Sequence, residues 1–432
     1  MTGTRVDRRD VAAPPPSGRD ILLLAQIVDL VRTGVANTRP ELEQATGLGR
    51  TVVNERLREG MDLGVLEEGG TAQAERGRPS RTVRFRSEAG LILSASFADN
   101  SVWAAVSDLD GTALLRSTAD ADVLQGPDVV LPIVHGQFES LLKRVAHGRS
   151  VWGVALGLPG PIDFTSGRMV APPIMHGWDG YDVRGWFRNR YEAPVWVDND
   201  DNLRAFGEWA LDQPRDARDL LYVEIGEGIG SGLITGGRVH RGDTGAAGDI
   251  GHFRVTDDPT AVCRCGRTGC LAAVASGWGL SRILTAAAER GESPMLADLL
   301  ARNGHILGLE LRDAIAAGDP VTMAAVRRAA RFTGLTVGGL VNFANPGTLV
   351  LGGTALLGSD VFFETFKAAV LEQAIELAAH DLVIRPSTAD FEVGTVGGAL
   401  LVARRLFRQD ALQLWLAAGT PIGSAVRIQQ LV

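Results

Sequence analysis

The chain has 432 residues, 43 of them basic and 51 acidic, for a formal net charge of −8. At 45% hydrophobic and 22% charged it has the composition of two or three soluble domains, which excludes a disordered chain, a collagen and a disulfide scaffold. Residues 332–359 carry no charge and are long enough to span a bilayer, but seven glycines with Asn342, Asn345 and Pro346 read instead as a buried helix, a turn and a strand at 348–351. The N-terminus has no signal-peptide pattern, so the expectation is a cytoplasmic protein with no membrane partner.

Charge is uneven. Residues 1–90 hold 14 Arg and 13 Asp or Glu, a net of +1, whereas 91–432 hold 29 basic and 38 acidic residues, a net of −9. Residues 1–18, with Pro14-Pro15-Pro16 and Ser17-Gly18, are expected to be disordered. A first helix should begin near Arg19, with Ile21, Leu22, Leu24, Ile27, Val28 and Val31 on its core face, and end at Gly34. Thr38 followed by Glu41 is a capping box that opens a helix running to about Thr46. After the turn Gly47-Leu48-Gly49, a third helix spans about 50–63, with Val52, Val53, Leu57 and Met61 facing inward.

Two short helices joined by a glycine turn make a helix-turn-helix, whose second helix would enter the major groove of double-stranded DNA. Its outward residues are Arg50, Thr51, Asn54 and Glu55, with Arg58 one turn on. Strands at 65–67 and 82–85 would follow as a hairpin with its tip at 72–79. Arg76, Arg78, Arg81, Arg84 and Arg86 fall within eleven residues that contain no acid, and Arg76 and Arg78 at the tip suit a wing on phosphates or in the minor groove. Residues 19–88 thus read as a winged helix-turn-helix domain; the alternative is a three-helix packing module with a solvated arginine loop.

Residues 91–111 and 220–237 both read as strand, turn, strand, which suggests two similar α/β halves around a cleft. The second turn, residues 226–232, is glycine-rich and could surround a phosphate. Asn199-Asp200-Asp201-Asn202 lies between a strand, 195–197, and a helix expected from about Leu203. A carboxylate there could accept a hydroxyl proton, or the segment could simply cap the helix. All three cysteines of the chain, Cys263, Cys265 and Cys270, lie within eight residues, with His252 eleven residues upstream. Three thiolates and one imidazole fill a tetrahedron, so this set suits a structural zinc; the alternative is a chance cluster or redox thiols.

These motifs, in this order, resemble the ROK family of repressors, reading frames and sugar kinases, over about 19–408. Leu156-Gly157-Leu158-Pro159-Gly160-Pro161 resembles the family's glycine-proline signature, and Ala171-Pro172-Pro173 with Gly177-Trp178 the loop that follows. Asn199 to Asn202 is similar to its Asn-Asp-Ala-Asn, residues 245–252 to its stretch ending in Glu-x-Gly-His, 263–271 to its zinc motif, and Asn345-Pro346 with Gly352-Gly353 to its nucleotide-side segment. The resemblance implies a winged helix-turn-helix followed by an actin-like (ribonuclease H-like), two-lobed α/β sugar-kinase fold at 89–408. It implies that Asp200 is the family's catalytic base, that Asn199, Asp200, Asp249 and His252 meet a sugar, and that His252 also holds zinc with Cys263, Cys265 and Cys270.

The departures point away from catalysis. Where the family's kinases carry Asp-x-Gly-[Gly/Ala]-Thr in the first hairpin, this chain has Ser96-Phe97-Ala98-Asp99-Asn100. Glu227 replaces the usual Thr of the second loop, Ala272 the glutamate after the zinc motif, and Asp249 a Glu. Two carboxylates facing a triphosphate repel it. The expectation is a DNA-binding transcriptional regulator, a repressor that works as a homodimer or homotetramer, with a degenerate kinase domain that senses a sugar and is not an enzyme. The alternative is an ATP-dependent, glucokinase-like sugar kinase with a DNA-binding appendage. The tail, 409–432, has no assigned role.

Overall fold

The computed structural model describes residues 18–72, 80–98, 100–172, 174–211, 219–353, 359–387 and 392–431. It divides into two compact units: residues up to Ala89 together with Arg404–Leu431, and Gly90–Ala403. The segment expected to be disordered lies outside the described residues except for Gly18.

The first unit opens with three helices, α1 (Gly18–Arg32), α2 (Arg39–Thr46) and α3 (Arg50–Asp62). The capping box forms: the Thr38 hydroxyl accepts from Glu41 N, and the Glu41 carboxylate accepts from Thr38 N at 2.9 Å. Gly47 closes α2 at φ +70, in the left-handed region open to glycine. The inner face of α3 differs from the expected one. Val53, Leu57, Gly60 and Arg56 are buried, whereas Val52 and Met61 are half-buried. Leu66 packs on Gly60, where an added Cβ would lie 2.6 Å from Leu66 Cδ1, so the helix approaches β1 along that face. Arg56 is tolerated inside because Glu59, at 2.9 Å, and Asp20, at 3.3 Å, neutralise it.

An antiparallel hairpin follows, β1 (Leu66–Ala72) with β2 (Ser80–Phe85), longer than the sequence indicated and irregular between Glu68 and Thr71. The expected wing tip, with Arg76 and Arg78, lies outside the described residues. The other arginines of the basic run are not free: Arg81 pairs with Glu68 at 2.5 Å, Arg84 with Glu67, and Arg86 with Glu67 and Glu88. Those acids precede or follow the run in sequence, so cross-strand pairing decides the local charge.

The second unit holds two five-stranded sheets of the same connectivity. The first is built from β3 (Leu91–Ala98), β4 (Ser101–Ser107), β5 (Ala113–Asp120), β6 (Val151–Leu158) and β9 (Val195–Asn199), in the order β5-β4-β3-β6-β9. Helix α4 (Pro127–Val145), a two-stranded piece of β7 (Ile162–Asp163) and β8 (Arg168–Met169), and α5 (Val183–Tyr191) connect its later strands. Helix α6 (Asp200–Leu211) leads to the second sheet, formed by β10 (Leu220–Ile225), β11 (Ile229–Thr235), β12 (Arg238–Val239), β13 (Thr348–Gly352) and β14 (Val383–Pro386), in the order β12-β11-β10-β13-β14. In both sheets a meander of three strands is extended by two parallel strands beside its first. β6 is buried at every residue and reads as a continuous apolar run, as a strand covered on both faces must. Between β12 and β13 lie α7 (Leu271–Ala275), α8 (Gly277–Glu289), α9 (Pro294–Asn303), α10 (Leu309–Ala316) and α11 (Pro320–Ala344). The second apolar core joins α7, α8 and α11 to α12 (Asp360–Gln373), with α13 (Glu376–Ala379) beside it. The uncharged stretch is accordingly the end of α11 and then β13, and no helix of the described residues is long and apolar enough to cross a membrane.

Helix α14 (Glu392–Leu406) runs into the tail, where α15 (Gln409–Trp415) and α16 (Ala425–Gln429) follow. The tail is not a separate appendage but groups with the N-terminal unit. Trp415 is fully buried and donates its indole N–H to Leu406 O at 2.9 Å. Its ring meets Phe407 edge-on at 5.6 Å, Phe407 meets Phe85 of β2 at 4.9 Å, and Arg32 of α1 lies over Phe407 at 5.4 Å. Residues 404–431 thereby complete a core that residues 18–89 alone leave open, and the expected boundary at 408 moves back to 404.

Candidate functional site

Helix α6 starts at Asp200, three residues earlier than expected, because Asn199 caps it. The Asn199 amide oxygen accepts from Asp201 N at 2.9 Å and Asn202 N at 3.3 Å, while its NH₂ donates to Gly160 O at 3.0 Å. Of the two roles open to this segment, Asn199 takes the cap. Asp200 and Asp201 then stand in the first turn, buried, where the helix dipole favours negative charge. Both carboxyls are nonetheless held above the ordinary range, first by burial; for Asp201 the neighbouring Asp200 adds to the effect.

Arg204, one turn on, organises these acids. It lies 3.4 Å from Asp201, 3.6 Å from Asp200 and 3.0 Å from Glu224 of β10, and it donates to Phe97 O of β3. One guanidinium thus bridges the two sheets from α6. Burial pulls its pKa down, but Glu224 and Asp200 more than offset this and hold it above its usual value. Tyr222 donates its hydroxyl to Glu224, and burial followed by that carboxylate keeps the phenol protonated well beyond its ordinary range. Sequence reading missed Arg204 because its partners come from strands 107 and 20 residues away. On the other flank Asp198 takes Asn202 Nδ2 at 3.0 Å and Arg241 Nη2 at 2.5 Å, and Arg241 lies over the Phe164 ring at 3.9 Å.

Asp200, Asp201, Arg204 and Glu224 line a cavity of about 310 Å³ that also takes in Asn199, Asp249, His252, Ala272 and the glycine-rich turn. All four residues expected at a sugar line it, but Asn199 is occupied in capping, Asp200 takes Asp201 N at 3.1 Å and Arg204 at 3.6 Å, and His252 also belongs to the cysteine set. Asp249 is exposed, and no described side chain or amide hydrogen-bonds its carboxylate.

Gly228 at the turn faces open space, whereas the glycines that follow in β11 serve packing. A Cβ on Gly230 would stand 1.9 Å from Asp201 Oδ2, and one on Gly232 2.4 Å from Asp201 O, so β11 can lie against α6 only without side chains there. Glu227 at the tip pairs with Arg264 of the cysteine loop at 3.3 Å, and Arg264 stacks on Trp278 at 4.7 Å. In the first hairpin Ser96 is buried against α14, where a Cβ on Gly394 would fall 2.3 Å from its hydroxyl; Asp99 lies outside the described residues.

His252, Cys263, Cys265 and Cys270 come together, with one ligand atom from each inside a 4.8 Å span. His252 Nδ1 is 3.6 Å from Cys263 Sγ, and Cys265 Sγ is 3.8 Å from Cys270 Sγ. Burial pushes the Cys270 thiol up to about 12 and also raises that of Cys263. Burial would raise Cys265 too, but the hydrogen bond with Arg267 outweighs it and brings that thiol down to about 7. Three sulfurs and one nitrogen at these separations can hold a metal ion.

On α3, Arg50, Thr51, Glu55 and Arg58 are exposed together on one face. Asn54 is half-buried and accepts from Arg39 Nε at 3.0 Å, and Arg39 also reaches Glu68 at 3.4 Å. Arg39, at the start of α2, is a basic residue beside the expected reading face that the sequence did not single out.

A three-helix domain with a hairpin, joined to twin α/β lobes around a carboxylate-lined cavity, defines the class: a helix-turn-helix type head on a sugar-kinase-like body. The chain belongs to the ROK family, whose sequence profile matches residues 100–405. It is 30% identical over 271 residues to a glucokinase of Halalkalibacterium halodurans, covering 62% of this chain and 82% of that one. It is 25% identical over 351 residues to a putative xylose repressor of a Caldicellulosiruptor species, covering 81% and 87%. Among solved structures, a ROK family transcriptional regulator described as a homolog of the E. coli MLC protein has the same fold, at a TM-score of 0.76 and 22% identity, over 93% of this chain and 100% of that one.

Proposed function

We propose that the chain is a transcriptional repressor that reads DNA through α3 and the β1–β2 wing and senses a sugar in the cavity of its kinase-like body. The observation that carries this reading is the extent of similarity: the glucokinase match spans 62% of the chain, the repressor match 81%, and the regulator fold 93%. The exposed Arg50, Thr51 and Arg58 support base and phosphate contacts from α3, with Arg76 and Arg78 as wing contacts. Asp200, Asp249 and His252 are the sugar-facing groups. Zinc is the metal of the Cys₃His set, and with all four positions filled by protein it is structural: it holds the loop that carries Asp249 and Arg264.

The kinase reading keeps Asp200 at the cavity, but Glu227 and its pairing with Arg264 occupy the turn that a triphosphate would need. Selection of duplexes from a random pool with the full chain tests the proposal. An enriched inverted repeat is expected, and its loss of base preference in Arg50→Ala would assign reading to α3. No enrichment over the starting pool would end the repressor reading.

A further inference from the structure

We infer that the cavity is built for an uncharged sugar carrying an apolar substituent, and that it refuses phosphorylated sugars and nucleotides. This rests on the effector reading above and names the class of ligand.

Among the described residues six carboxylates line the cavity, Asp122, Asp200, Asp201, Glu224, Glu227 and Asp249, against two guanidiniums, Arg204 and Arg264. Both guanidiniums are already engaged. Arg204 is buried among Asp200, Asp201 and Glu224, and Arg264 is paired to Glu227 and stacked on Trp278. A phosphate dianion entering here would meet an excess of negative charge in a site of low dielectric. The helix end nearest the glycine turn is closed to it. The first turn of α8 would be the natural anion site, but Gly277 N already donates to Gly226 O at 2.8 Å and Trp278 N to Glu227 O at 3.4 Å, so the glycine turn uses its carbonyls to close that helix end.

A neutral polyol suits the same groups. Carboxylates such as Asp249, which only accept, need hydroxyl donors, and a sugar supplies several. Another part of the wall is apolar: Leu124 and Ile174 line the cavity while 47% and 36% exposed, with Met175, Ile229 and Trp278 also on it. Exposed apolar wall gains free energy when a ligand covers it, and a free sugar, hydroxylated on every side, covers it poorly. A sugar with an alkyl or aryl aglycone meets both surfaces.

Titration calorimetry on the full-length chain decides the matter, with glucose, xylose, their phenyl glycosides and glucose 6-phosphate as probes. The expected result is that a phenyl glycoside binds ~10-fold or more tightly than its parent sugar, from the buried ring, and that the 6-phosphate gives no saturable heat. Glu227→Gln combined with Asp122→Asn should then admit the phosphate ester, because two of the repelling charges are gone. Glucose 6-phosphate binding as well as glucose, or a phenyl glycoside binding no better than its parent, overturns the inference and leaves the effector reading standing. Failure of every probe to bind overturns both.

Discussion

Asp201 illustrates how one buried acid can be tolerated and still exact a cost. Its carboxyl is held above the ordinary range, first by burial and then by Asp200. In the unfolded chain an aspartate titrates near ~3.9, so between that pH and the raised folded value the native state binds more protons than the unfolded one. Stability from this group is therefore present at low pH and lost as pH rises through that window. Asp201→Asn removes the titration and keeps the side-chain size, with Asp200 and Glu224 still pairing Arg204. Its melting temperature should match that of the parent chain near pH 4 and exceed it by a few degrees above pH 7. Lower stability above pH 7 would mean that Arg204 holds Asp201 ionised. At the metal set the expectation is about one zinc per chain by elemental analysis of reduced protein. Cys265→Ser should lose the metal and several degrees of melting temperature, since the loop from His252 to Cys270 has little core of its own. Metal-free, folded, reduced protein would refute this.

At the scale of elements, the tail and the head are one problem. Trp415 sits fully buried against Phe407, and Phe407 against Phe85 of the wing strand. Trp415→Ala should destabilise the N-terminal unit by about 3–5 kcal/mol, visible as early loss of DNA binding in a denaturant titration, while the body unfolds at its usual midpoint. A change confined to the body's transition would contradict the grouping of Arg404–Leu431 with the head. Within α3 the two kinds of contact separate. Arg50→Ala should cost roughly 1–3 kcal/mol on the operator and relax preference at one position. Arg78→Ala should weaken binding to all sequences alike and lower the salt slope by about one. Asn54→Ala should have a mixed effect, because its amide oxygen already takes the Arg39 guanidinium.

For the molecule as a whole, the proposal implies DNA binding without phosphoryl transfer. A coupled assay with ATP, magnesium and a panel of hexoses should show no saturable turnover; turnover abolished by Asp200→Ala would promote the kinase reading. A homodimer or homotetramer should place two α3 helices on half-sites one or more helical turns apart, which footprinting of the selected operator would reveal. The body, at a net charge of −9 over residues 91–432, should repel DNA and confine contact to the head.

Local chemistry was legible along the chain wherever it acts over a few residues. The Thr38–Glu41 box, the glycine stops at Gly34 and Gly47, and the strand read at 348–351 follow from spacing and side-chain type, because each depends on neighbours within one or two turns. The Cys₃His set was legible for the same reason, its ligands crowding into nineteen residues. Only tertiary structure decided the rest. Arg204 joins β3, α6 and β10; Gly230 and Gly232 are empty because Asp201 presses on them; the basic run is partly neutralised by Glu67 and Glu68 across the hairpin; and the unassigned tail closes the core of a domain that begins some 400 residues earlier. A buried charge, a close backbone approach and a shared core are each set by which distant segment arrives beside a residue, and no periodicity along the chain records that arrival.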